Sequence, residues 1–295
     1  MIQLQGSPKG TLDFFIYKMI KVSIQGEAGS FHEVAARDFF RNEELQLIPC
    51  STFDQTVEAA RTGYADYAVM AIENARAGSI LYNYTLIRES GLKILGEVNL
   101  RVKQNLMALP GQTIDDIKEV RTHPIAISQC MTFLNQHQGI TLVESEDTAA
   151  SAREISDKKL SGVAAIASSA AATLYGLEII AEGIETYKKN YTRFLVIGHK
   201  SKGSRNGNKT SVCFSVNHQP GSLASVLVKL AELGINLTKI QSVPRLNGGW
   251  EYMFYLDLEI PEGTNMELIE NEIIEYSRDL EVLGVYNKGE SLYES

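Results

Sequence analysis

The stretch KKNYTRFLVIG, Lys188 to Gly198, sets a carboxamide, a phenol, a hydroxyl and a guanidinium directly before an apolar run. FLVIG has the length and composition of a buried strand closed by glycine. Thr192 and Arg193 then stand at a strand mouth, where a hydroxyl can donate a hydrogen bond and a guanidinium can grip a carboxylate bidentately. Neighbouring side chains on a strand point to opposite faces, so the two serve one ligand only where the backbone kinks. A solvated flank is the plain alternative for Arg193.

Five junctions where a strand gives way to a helix add further candidates: Gly26–Ser30, Glu73–Ser79, Thr122–Pro124, Ser145–Thr148 and Ala167–Ser169. Helix starts expose N–H groups and the positive end of the dipole, which favour anions. The same residues also serve as ordinary caps. Taken with Arg193, they suit a small organic acid held between two lobes. His123, ahead of Pro124, is either a cap or packing residue or a group titrating near neutrality. Cys130 has no activating neighbour and reads as a buried, inert thiol.

Other chemistries lack their residues. GEAGS has neither the spacing of a dinucleotide loop nor that of a phosphate loop, and no nucleophile elbow occurs. The net charge of −8 provides no basic face for nucleic acid. Three scattered cysteines and five histidines show no metal-ligand spacing, which points to a reducing compartment and no structural metal. No run has the length of a membrane span. These features predict a cytoplasmic protein.

The elements that must position these groups alternate between short apolar strands and amphipathic helices up to Gly198, the pattern of an α/β fold. Strands are expected at Lys21–Gln25, Tyr67–Ile72, Asn105–Leu109, Ile140–Glu144 and Gly162–Ala167. Helices are expected from Ser30, over Phe53–Thr62, from Pro124, after Ser145 or Asp147, and over Ser168–Tyr175. HKSKGSRNGNK, residues 199–209, reads as a linker. Beyond it, six segments in the order βαββαβ predict a ferredoxin-like unit over residues 210–287, followed by a tail at 288–295. Residues 1–18 carry no strand or helix pattern and read as an extension before a natural start at Met19.

At this level of detail the sequence resembles the prephenate dehydratases. NYTRF (190–194) is similar to their Thr-Arg-Phe signature and IENARAGSI (72–80) to their Glu-Asn-Ser-x-x-Gly-Ser-Ile segment. THPIAISQC (122–130) and EDTAASA (146–152) match two further family segments. The tail resembles an ACT regulatory domain. Departures are Ala75 for serine or threonine, Thr122 for serine, His32 at a helix-start hydroxyl, GSLA (221–224) and QSVP (241–244).

The resemblance implies a two-lobed catalytic fold like that of periplasmic binding proteins over residues 19–198, with lobes at 19–104 plus 181–198 and at 105–180. It implies conversion of prephenate to phenylpyruvate, carbon dioxide and water, without metal or cofactor. Thr192 would attend the leaving hydroxyl and Arg193 clamp a carboxylate, with the proton arriving from water or a neighbour such as Glu73. Asn74, Ser79, Thr122, His123, Gln129, Thr148 and Phe194 would shape the substrate site. Phenylalanine would act as effector at Gly221, Ser222, Leu223, Asn236, Gln241, Ser242 and Pro244, in a homodimer or tetramer. Arogenate is the alternative substrate, with Ala75 and Thr122 as places to look for that choice; a non-catalytic ligand sensor is the alternative class.

Overall fold

The computed structural model describes residues 19–203, 206–245, 251–264 and 266–290. The proposed extension at 1–18 lies outside the described residues. In chain order, β1 (Ile20–Gln25), α1 (Phe31–Phe39), β2 (Leu45–Cys50), α2 (Phe53–Arg61), β3 (Tyr67–Asn74), β4 (Gly78–Ser79), α3 (Leu81–Ser90) and β5 (Lys93–Arg101) build a first lobe. A second lobe follows with β6 (Asn105–Ala108), β7 (Glu119–Thr122), α4 (Pro124–Leu134), β8 (Thr141–Glu144), α5 (Thr148–Lys158), β9 (Val163–Ala167), α6 (Ser169–Tyr175) and β10 (Glu178–Ala181). The chain returns as β11 (Tyr191–Gly198), which inserts antiparallel between β3 and β5 and completes a first sheet ordered β2-β1-β3-β11-β5. The second sheet is ordered β10-β6-β9-β7-β8.

The last segment is β12 (Lys209–Ser215), α7 (Ser222–Glu232), β13 (Asn236–Pro244), β14 (Tyr252–Glu259), α8 (Met266–Ile274) and β15 (Arg278–Tyr286). Its strands form an antiparallel sheet ordered β13-β14-β12-β15, the split arrangement that the βαββαβ pattern predicts. Strands β2, β5, β7 and β10 and helix α3 were not expected. LQLIPC and KILGEVNLR contain proline, glycine and charge, which dilute the apolar run that identifies a buried strand.

Local chemistry sets the helix starts. Ser30, Asp147 and Ser168 accept from backbone N–H groups one turn on, capping α1, α5 and α6. The His123 side chain does the same for α4, where Pro124 fills the first turn. Gly176 closes α6 in the left-handed conformation, as expected from the sequence.

The two faces of the first sheet bury different partners. On β11, Phe194 and Val196 pack with α1, whereas Leu195 and Ile197 join a core that includes Cys213, Met253, Tyr255, Leu283 and Tyr286 of the third sheet. The third sheet thus shares a hydrophobic core with the first. Strand β15 lies on β5 so closely that a Cβ at Gly284 would meet Ile94 Cβ at 2.8 Å and run into the Ile94 carbonyl oxygen. Much of the expected linker is structured too: Lys202 caps a short turn onto Asp66, and Lys209 is already buried in β12.

Candidate active site

A cleft of about 290 Å³ opens between the first two lobes. It is lined by the starts of α1, α4 and α5, by Asn74 at the end of β3, and by Thr192 and Phe194 on β11. The helix starts bring three sets of backbone N–H groups toward one space. Among the described residues no lysine or arginine lines the cleft.

Strand alternation decides what β11 presents there. Thr192 and Phe194 face the cleft, and Arg193 faces the third sheet with Leu195. A bulge on β3 supplies the partner: Ala71 pairs with Phe194 and Glu73 with Arg193, so Ile72 is the extra residue. The phase of β3 inverts at that point, which sends Glu73 toward Arg193 and Asn74 toward the cleft. The Asn74 Oδ1 accepts from the N–H groups of Arg76 and Ala77 at 2.9 and 2.8 Å, which fixes the orientation of the amide. Its Nδ2 therefore donates to Thr192 Oγ at 2.8 Å and to Asn190 Oδ1 at 2.9 Å. The Asn190 Nδ2 in turn reaches Gln129 Oε1 in the second lobe at 3.0 Å, and Gln104 Nε2 reaches the same oxygen at 3.1 Å.

The lobes also touch around loop 26–29. The Ser168 Oγ donates to the Gly29 carbonyl at 2.6 Å and the Tyr175 hydroxyl to the Ala28 carbonyl at 2.7 Å. Gly29 has φ +86°, and a Cβ there would lie 2.8 Å from Ala171 Cα. Glycine is required on both counts.

A prephenate dehydratase family model matches residues 22–202, the two lobes and the returning strand. The chain belongs to the prephenate dehydratase family. It is 37% identical over 281 residues to an arogenate dehydratase/prephenate dehydratase of Arabidopsis thaliana, covering 90% of this chain and 72% of that protein. A prephenate dehydratase from Arthrobacter aurescens, solved with L-Phe, aligns with a TM-score of 0.80 at 27% identity, covering 91% of this chain and 90% of that one. A protein described as a quorum-quenching acylase aligns with a TM-score of 0.82 at 32% identity, covering 93% of this chain and 100% of that one. The family carries out a lyase-type dehydration, and this chain is such an enzyme.

Of the residues to which the family resemblance points, Asn74, His123, Gln129, Thr148, Thr192 and Phe194 line the cleft. Arg193 does not, and its expected role as carboxylate clamp is corrected. Its Nε donates to Glu97 at 2.7 Å, Nη1 to Glu73 at 3.1 Å and to Asp257, and Nη2 to the Tyr286 hydroxyl at 3.0 Å. Burial works against its charge, but Asp257, Tyr286 and Glu97 outweigh it and hold the guanidinium above its ordinary pKa. Glu73 is likewise engaged, by Arg193 and Lys239, and does not line the cleft as a proton source. Ser79 accepts from Lys239, and Thr122 is buried with its hydroxyl on the Ile166 carbonyl, so neither forms part of the cleft wall.

Sequence reasoning missed Gln104 in the cleft wall and met His32 and Asp147 only as a helix-start departure and within the Ser145–Thr148 junction. His32 Nε2 accepts from the Ala71 N–H at 3.2 Å, its ring meets Phe194 edge-on, and burial pushes its pKa down to about 4. It is a neutral wall at physiological pH. Burial raises the Asp147 carboxyl against the N–H bonds that it caps. Cys130 is fully buried, and burial pushes its thiol up to about 12, in keeping with an inert role. Among the described residues no cluster of His, Cys, Asp or Glu could hold a metal ion, and no helix is long and apolar enough to cross a membrane.

In the last unit, Gly221 precedes α7 with φ +85° and Leu223 packs in the local core. The Asn236 amide donates to Glu259 at 2.8 Å, and Gln241 donates to the Ser242 carbonyl. Asn236, Gln241, Ser242 and Pro244 all lie on β13, an outer strand of the third sheet.

Proposed function

We propose that the cleft converts prephenate, with one proton, into phenylpyruvate, carbon dioxide and water, and that Thr192 attends the departing ring hydroxyl. The observation that carries this assignment is the hydrogen bond from Asn74 Nδ2 to Thr192 Oγ. Because the Asn74 amide is pinned by two backbone N–H groups, Thr192 must be the acceptor in that bond. Its own O–H is then directed elsewhere, and the cleft is what its face of β11 meets. A donor held in advance, aimed where charge develops on the leaving oxygen, stabilises the transition state more than the ground state.

The rest of the cleft suits the reaction. Carboxylates held by neutral N–H groups at the starts of α1, α4 and α5 keep their place without a fixed countercharge. A guanidinium bound to the ring carboxylate would resist loss of its electrons as carbon dioxide leaves. Phe194 and His32 supply a flat apolar wall for the ring. Acyl transfer would instead require a nucleophile activated by a base. Donation from Asn74 to Thr192 Oγ draws electron density away from it.

The last unit, residues 210–287, is proposed as an ACT-type sensor for phenylalanine, supported by its βαββαβ order and by the L-Phe-bound relative. The effector candidates on β13 sit where the edge of a second copy would pair, which favours a homodimer or a pair of such dimers. The two lobes around one cleft support the reading of a periplasmic-binding-protein-like plan.

The test is phenylpyruvate formation from prephenate by the full chain in metal-free buffer, with arogenate in parallel and phenylalanine as additive. Thr192→Ala should lower kcat by about 100-fold while KM changes little. Wild-type turnover by that variant would remove Thr192 from the mechanism.

A further inference from the structure

We propose that Asp257 and Tyr286, in the C-terminal unit, are positioning residues for the cleft, acting through Arg193 on Thr192. The proposal rests on the reading of Thr192 given above. Arg193 and Thr192 are adjacent on β11, one facing the third sheet and one facing the cleft. The bulge begins directly after Arg193, where pairing with β3 shifts by one residue between Arg193 and Phe194. A bulge interrupts the local ladder, so on its β3 side this stretch of β11 depends more on side-chain contacts for its exact placement.

Arg193 makes those contacts, and half of its partners come from the other unit. Glu73 and Glu97 hold it from the first sheet; Asp257 on β14 and Tyr286 on β15 hold it from the third. Asp257 is itself fixed, accepting from Ser211 Oγ at 2.5 Å, and because that bond uses the serine hydrogen the Tyr286 hydroxyl donates to Ser211 Oγ at 2.7 Å. The cluster is closed in charge. The first sheet contributes Arg193, Glu73 and Glu97, and the third contributes Asp257 with Lys209 and Lys239, which pair with Glu97 and Glu73. Arg193 and Asp257 are each more than nine-tenths buried, so loss of one partner leaves the others unbalanced where water cannot compensate. The guanidinium must then seek its remaining carboxylates, carrying the bulge and Thr192 with it.

The experiment is steady-state kinetics of the full chain on prephenate. Asp257→Asn and Tyr286→Phe should each lower kcat, the former by about tenfold or more, with KM within about threefold. In an Arg193→Lys background Asp257→Asn should add little, because its route to Thr192 is already broken. Glu281→Gln is the control: it loosens another contact between the units, to Lys93 and Arg88, remote from the bulge, and should leave kcat unchanged. Tyr286→Phe removes one oxygen and keeps the ring in its core, so it reports even where Asp257→Asn folds poorly. Wild-type kcat in both single variants, additive losses with Arg193→Lys, or an equal loss in Glu281→Gln would each overturn the proposal. Full activity in Thr192→Ala would instead overturn the reading on which it rests.

Discussion

The place of Thr192 in the cleft was legible from five letters, NYTRF, whereas that of Arg193 beside it was misread. Period-two alternation already separates the two side chains. What the sequence could not show is where Arg193 goes, because Asp257, Tyr286 and Glu97 stand 64, 93 and 96 residues away. An arginine at a strand mouth looks solvated or ligand-binding until the element that covers it is placed. His32 shows the same limit: its helix-start position was noted, but its neutral, half-buried state depends on packing against Phe194 and Phe53. That state has a measurable consequence. A histidine whose folded pKa lies near 4, below the unfolded value near 6.5, leaves the unfolded chain as the better proton acceptor between those values. Stability is then complete above about pH 6.5 and falls as pH drops toward 4, by about 1.4 kcal/mol per unit at most. Melting curves of wild type and His32→Gln should diverge over this window, the variant losing less, because Gln can accept from the Ala71 N–H without titrating. Parallel curves would mean that His32 protonates freely in the folded protein.

At the scale of elements, the helices of the second lobe were read well because their caps are local. Asp147 before TAASAREI and Pro124 after His123 announce themselves within one turn. Strands with mixed composition, such as β5, escaped because tertiary pairing rather than local pattern makes them strands. The bulge on β3 escaped for the same reason, since one extra residue in IEN leaves no mark in the letters. Gly29 is the element-scale test of cleft closure. Alanine there meets both a positive φ, costing about 1–2 kcal/mol, and the α6 backbone. The lobes should be held apart, raising KM about tenfold with a smaller change in kcat. Kinetics with small-angle scattering would check this; an unchanged KM would show that the loop yields without opening the cleft.

The whole molecule departs most from its sequence pattern in how its units join. A Gly-, Ser- and Lys-rich stretch reads as a linker, yet the third sheet and the first share one core. Unfolding of these two sheets should therefore be a single calorimetric transition, with calorimetric and van't Hoff enthalpies in agreement for that step. Two resolved transitions assignable to them would mean that the shared core contributes little. The contact at Gly284 carries a consequence for recombination. A C-terminal unit taken from a relative and spliced onto these lobes can seat only if the residue opposite Ile94 lacks a side chain. A donor with alanine there would yield a chimera with both parts folded and the seam between them ajar. Exchange between relatives would thus be gated by one missing methyl group, despite the linker-like sequence between the two parts.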